Sequence, residues 1–129
     1  MLKQQALKKV AECQRNCLAE FAHVNHYCDR QHNTVIAKIL PGEFYMTSQN
    51  MVIATTLGSC ISACIWDTMS GIGGMNHFML PLTTQEAHEV NWGQRGLVTD
   101  ATRYGNFAME HLINMILTHG GRRKNLKAK

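Results

Sequence analysis

Nowhere in the chain do about 18 uncharged apolar residues follow one another. The start, Met1-Leu2-Lys3-Gln4-Gln5-Ala6-Leu7-Lys8-Lys9, is broken up by charge. Together these argue against a membrane span and against a secretion leader. A paired cysteine framework is missing as well: there are five cysteines, an odd number, in a chain whose 45% hydrophobic content needs no disulfide scaffold. Free thiols in a reducing cytoplasm fit that count. Basic residues interleaved with aromatics, which a nucleic-acid surface asks for, are also lacking. The formal charge of +4 owes much to Arg122, Arg123, Lys124, Lys127 and Lys129, in a tail with no aromatic after Gly121. That is a local effect of the tail, and no nucleic-acid partner is expected.

What is present suits one domain, since 129 residues with 17% charged side chains hold one core but not two. Leu2, Ala6, Val10, Cys13, Cys17 and Phe21 recur at three- and four-residue steps, the stripe of an amphipathic helix. Residues 1–30 therefore read as an N-terminal helix with a polar connection that extends from Asn25 to Asn33. The main domain occupies 31–129. Val35 to Leu40 is a β-rich run stopped by Pro41-Gly42, and Phe44 to Thr47 resumes extended structure. Two further β-prone runs, Met51 to Leu57 and Ile61 to Trp66, flank Gly58-Ser59-Cys60. Cys60 is thereby placed at a strand junction or just inside the second strand.

Asp67-Thr68-Met69-Ser70-Gly71 has the composition of a hairpin turn, and Ile72 to Leu80 returns antiparallel to the strand before it. Leu82 to Val98 reads as a loop. Asp100 is an expected N-cap, followed by a helix face of Tyr104, Phe107, Ala108, His111, Leu112, Met115 and Ile116 that ends before Gly120-Gly121. Asn125 to Lys129 begins another strand.

The hairpin can bring Cys60 and His77 to similar heights on neighbouring strands. A cysteine nucleophile needs a base to form its thiolate and donors for the oxyanion made when it attacks a carbonyl. Gly58 lets backbone approach a substrate, and amides at Ser59-Cys60 are natural oxyanion donors. Thr55, Thr56 and Ser59 carry hydroxyls able to orient an imidazole or bind an amide, and Asn76 could do so from the opposite strand. Spacing alone favours a plainer alternative, with Cys60 a buried small hydrophobe and His77 a core histidine with its hydrogen bonds satisfied. Cys64, inside the Ile61 to Trp66 run, reads as an inert packed thiol.

Cys13, Cys17, His23, His26 and Cys28 could be zinc ligands, but their spacing matches no usual paired pattern, so no metal or other cofactor is expected. Gly71-Ile72-Gly73-Gly74 resembles a phosphate loop only in glycine content, because no Lys-Ser/Thr follows; tight packing or a bulge suits it better. Met75, Met79, Met109 and Met115 read as core filler.

Four blocks taken together, Lys38-Ile39-Leu40-Pro41-Gly42-Glu43-Phe44-Tyr45, Thr56-Leu57-Gly58-Ser59-Cys60, Gly71 to Pro81 and Arg103-Tyr104-Gly105-Asn106-Phe107-Ala108-Met109, resemble the chemoreceptor glutamine deamidase family, CheD. The resemblance runs from about His23 to the C-terminus. It implies that Cys60 is the nucleophile, His77 its base, and a threonine shortly before the cysteine the third member. Thr55 is the choice here, although Thr56 also precedes Cys60.

The resemblance further implies an α/β fold, a layered α/β/α sandwich with a mixed, largely antiparallel sheet. It also implies a cytoplasmic role in chemotaxis, methyl-accepting chemotaxis receptors as the protein substrate, and a CheC-type phosphatase as partner. Family members continue past the strand near Leu126 into a glycine-rich segment and further strands, so the expectation is that the C-terminal part is missing. Two other roles stay open: a non-catalytic adaptor for the phosphatase, and hydrolysis of receptor glutamyl methyl esters.

Overall fold

A computed structural model of the chain describes residues 1–79 and 105–129. The expected loop from Leu82 to Val98, the Asp100 cap and the start of the helix face at Tyr104 lie outside the described residues.

The N-terminal stripe forms α1 (Leu2–Asn16) and then stops short of Phe21. Cys17 has an extended backbone, and a single 3₁₀ turn at Ala19–Phe21 follows. Phe21 is buried all the same, with its ring 4.8 Å from that of Tyr45 and 5.3 Å from that of Phe44. Its apolarity serves the core, not the helix.

The polar stretch from Asn25 is not a connection but a strand. β1 (Asn25–Asp29) pairs antiparallel with β2 (Thr34–Lys38), through a turn in which Asn33 takes φ 50°. Composition hid it because the side chain that it buries is a histidine: His26 lies inside with Nε2 2.8 Å from the Tyr45 hydroxyl. The hairpin crosses residues 30 and 31, where the sequence suggests a domain boundary.

Past β2 the chain turns at Pro41-Gly42, with Gly42 at φ 84°, a left-handed backbone that glycine adopts at no steric cost. This turn carries it into a second sheet. β4 (Val52–Ala54) pairs parallel to β2, giving a three-stranded sheet in the order β1-β2-β4. The second sheet is antiparallel throughout and contains β3 (Phe44–Thr47), β6 (Gly73–Asn76), β5 (Cys64–Asp67) and β7 (Leu126–Ala128), in that order. The α/β class and the mainly antiparallel pairing are as expected, but the described strands are shared between two sheets.

α2 (Gly105–Thr118) packs on β6, β3 and β5 and buries Ala108, Leu112 and Ile116, each four residues from the last. Gly74 permits this approach, because a Cβ there would stand 2.5 Å from Leu112 Cδ1 and 2.8 Å from the Tyr45 carbonyl oxygen. The glycine-rich run thus provides close packing. Phe107, expected on the buried face, is half exposed, and so is Met79. Phe21, Ile39, Tyr45, Ile65, Leu112 and Ile116 join both sheets and α2 in one core. No helix among the described residues is long and apolar enough to cross a membrane.

At the turn of the β5–β6 hairpin, Gly71 takes φ 75° and the buried Asp67 organises the chain. One carboxylate oxygen accepts the Met69 and Ser70 N–H groups, each at 2.8 Å, and the other accepts the Arg122 N–H, also at 2.8 Å. The Ser70, Arg122 and Met69 amides hold the carboxyl low, at about 2.

Candidate active site

His77 follows the last residue of β6 and is only 1% exposed. Its N–H donates to the Glu43 carbonyl at 3.0 Å and its carbonyl accepts the Gly42 N–H at 2.8 Å, so the turn between the sheets grips its backbone. The same turn continues β2 to Ile39, whose N–H donates to the Ala54 carbonyl at 2.9 Å. Thr55 is thereby delivered from the three-stranded sheet to a histidine of the four-stranded one.

Thr55 Oγ1 lies 2.9 Å from the Ile39 carbonyl oxygen and 2.7 Å from His77 Nδ1. A hydroxyl has one proton, and the carbonyl can only accept it. The bond to His77 must therefore run the other way, with Nδ1–H donating, which assigns the neutral ring a lone pair on Nε2. Nε2 is buried and has no hydrogen-bond partner among the described residues. Burial pushes the imidazole pKa below its ordinary value, favouring that neutral form.

Cys60 is partly buried and its thiol is free. It lies not inside a strand but in the loop between β4 and β5, one residue before the bridge in which Ile61 and Phe78 exchange two backbone bonds of 2.9 Å. Cys60 and His77 thus share one end of the hairpin. No hydrogen bond joins the thiol to Nε2 in this structure. Gly58 and Ser59 are exposed, and the backbone N–H groups of Gly58, Ser59 and Cys60 donate to nothing among the described residues. A Cβ on Gly58 would meet nothing within 4 Å, so crowding does not require glycine there. Thr56 is exposed; Thr55 is the threonine on the histidine.

Asn76 is 0% exposed, and its amide is committed at both ends. Oδ1 accepts the Ala63 N–H at 2.9 Å and Nδ2 donates to the Ala108 carbonyl at 3.1 Å. It ties the segment entering β5 to α2 and has no free polar atom to offer a substrate. Cys64, the first residue of β5, pairs with Met75 at the end of the β5–β6 ladder and is partly buried.

The suggested zinc ligands do not gather: among the described residues no group of three or more His, Cys, Asp or Glu side chains could hold a metal. His23 Nε2 instead meets Glu43 at 2.8 Å, and His26 is spent on Tyr45. Sequence reasoning also missed Ser62, whose buried Oγ has no partner among the described residues.

The fold and site define an α/β protein that presents a partly buried thiol and a threonine-locked neutral imidazole at one end of a hairpin. No family model matches the chain. Proteins named probable chemoreceptor glutamine deamidase CheD do. The one from Halorhodospira halophila is 54% identical over 114 residues, 88% of this chain and 51% of its own length. Those from Methylobacillus flagellatus and Vibrio vulnificus are 52% and 43% identical over 114 and 110 residues, covering 88% and 85% of this chain and 53% and 51% of their own. The chain is a homologue of these CheD proteins, and it spans about half the length of the curated relatives it matches.

Proposed function

We propose that this chain hydrolyses glutamine side-chain amides on methyl-accepting chemotaxis receptors in the cytoplasm, with Cys60 as nucleophile, His77 as base and Thr55 as the group that orients the base. The observation that carries the reading is the Ile39–Thr55–His77 hydrogen-bond chain, which leaves a buried Nε2 lone pair at the Cys60 end of the hairpin. The names of the relatives point to the same substrate.

Nε2 takes the Cys60 proton, and the thiolate attacks the amide carbon. The Ser59 and Cys60 N–H groups, which donate to nothing among the described residues, are the nearest oxyanion donors in sequence. As the adduct collapses, the nitrogen takes the proton from Nε2, the C–N bond breaks and ammonia leaves a thioester. Water, deprotonated by Nε2, then attacks the thioester and frees glutamate and the thiol. Every step is a proton transfer or an acyl transfer and calls for no cofactor.

Mass spectrometry of a receptor domain incubated with the chain tests this. Glutamine positions should gain about one mass unit with the wild type, the change when an amide becomes an acid by acyl transfer, and none with Cys60→Ala. Gain with both proteins would sink the assignment. The resemblance also suggests a CheC-type phosphatase as partner. Binding of that phosphatase without any mass gain would mark the chain as an adaptor.

A further inference from the structure

Beyond β5 the chain stays alongside the strand that carries His77. Cys64 stands opposite Met75 and, after an interruption at Ala63, whose N–H turns to the Asn76 side chain, an isolated bridge sets Ile61 opposite Phe78; the two share one register, which puts Ser62 opposite His77. Because Ile61 and Phe78 exchange both backbone bonds, the Ser62–His77 pair next to them is of the non-hydrogen-bonded kind. Such pairs bring side chains closest, with Cβ atoms about 4.5–5.5 Å apart on one face of the sheet. Cys60 lies two residues before Ser62, in the loop that leads into this pairing.

Ser62 Oγ and His77 Nε2 are both buried, neither has a partner among the described residues, and they are not bonded to each other. Buried polar atoms without partners are uncommon in native proteins, and each asks for an explanation. The other two such atoms, His26 Nδ1 and His111 Nε2, belong to rings seated against Tyr45 and Phe44. Only Ser62 stands opposite the imidazole of the site.

We propose that Ser62 is a specificity residue that accepts a hydrogen bond from the carboxamide nitrogen of the substrate, which distinguishes an amide from an ester. This rests on the deamidase reading. During collapse of the adduct the nitrogen lone pair must face Nε2–H to receive its proton, while the two N–H bonds point elsewhere. One of them donated to Ser62 Oγ turns the lone pair toward His77. The electrons of the breaking C–N bond stay on nitrogen, and the carbonyl re-forms as thioester. A methyl ester's leaving oxygen has no hydrogen to donate, so the same contact gives it nothing.

The test compares wild type, Ser62→Ala, Ser62→Val, Ser62→Thr and Cys60→Ala on a receptor domain carrying glutamine and on the same domain carrying glutamyl methyl esters. Ammonia and methanol release are followed separately. Ser62→Ala and Ser62→Val should lose about ten- to a hundredfold in kcat for ammonia release, the worth of one hydrogen bond in a buried site. Methanol release should change by less than about threefold. Ser62→Thr, similar to Val in shape but carrying a hydroxyl, should restore ammonia release. Equal loss of both products, or equal rates for Ser62→Thr and Ser62→Val, overturns the specificity role. Unchanged ammonia release in Ser62→Ala overturns it while leaving the deamidase reading intact. Identical ammonia release by wild type and Cys60→Ala brings down both.

Discussion

The two ends of the β5–β6 hairpin use polar groups in opposite ways. At the turn, both oxygens of Asp67 are filled by the Met69, Ser70 and Arg122 amides, and a β-strand, a turn and the segment after α2 are bound to one carboxylate. At the open end, Ser62 Oγ and His77 Nε2 are buried with no partner among the described residues, beside a loop whose three successive N–H groups likewise donate to none of them. A satisfied cluster serves stability, whereas unspent hydrogen-bonding capacity costs stability and is kept where something must bind. The same hairpin supplies both, so rigidity at one end supports the spare valence at the other.

Substitutions at each end can break or sharpen that contrast. The largest effect is expected at the proposed nucleophile: Cys60→Ala should lower ammonia release by at least about a thousandfold. Cys64→Ala, four residues on in the ladder, should stay within about threefold. Similar losses from both would erase the distinction between the site and the strand.

Thr55→Val should follow, costing about a hundredfold in kcat/KM through a misoriented base, with Thr55→Ser keeping most of the rate. Because burial lowers the His77 pKa, the base form persists at neutral pH. The acid limb of kcat/KM should therefore lie below pH 6.5, the ordinary histidine value. A limb above that value would contradict the buried, neutral imidazole. The stability effect has the same sign: a depressed histidine pKa favours the fold above its unfolded value, and that gain is lost as the pH falls.

Asn76→Ala, between the two ends, leaves the Ala63 N–H unpaired and takes from the Ala108 carbonyl the bond it accepts in addition to its place in the helix ladder. It should cost about 2–3 kcal/mol in denaturant unfolding. A cost near zero would show that the amide staple is dispensable.

At the turn end the expected effect is smaller and confined to acid. The depressed Asp67 pKa contributes stability that is complete above the unfolded value of 3.8 and is lost as pH falls through about 2. Asp67→Asn should flatten that part of the pH–stability curve. No change in slope between about pH 4 and pH 2 would remove Asp67 from the set of acid-sensitive groups.

Much of this was legible in the sequence. Val35 to Leu40, the Asp67 to Gly71 turn and the helix carrying Ala108, Leu112 and Ile116 announce themselves through β-branched runs, turn chemistry and four-residue spacing. β1 did not, because its buried member is a polar His26 whose partner, Tyr45, is distant in the chain. Only the resemblance favours Thr55 over Thr56; the physical reason, the Ile39 carbonyl that takes its hydroxyl proton, comes from another strand and is not in the local sequence. Asn76 reads as a substrate ligand until both ends of its amide are seen to be taken. Ser62 carries no compositional signal; only the ladder register sets it opposite His77.

Thr55 and His77 come from different sheets, and that makes their hydrogen bond a report on assembly. Until the two sheets dock, nothing holds the ring Nδ1–H toward the Thr55 hydroxyl, so the imidazole is not fixed in one tautomer. On the mechanism proposed above, an oriented base therefore exists only in a chain whose core is assembled.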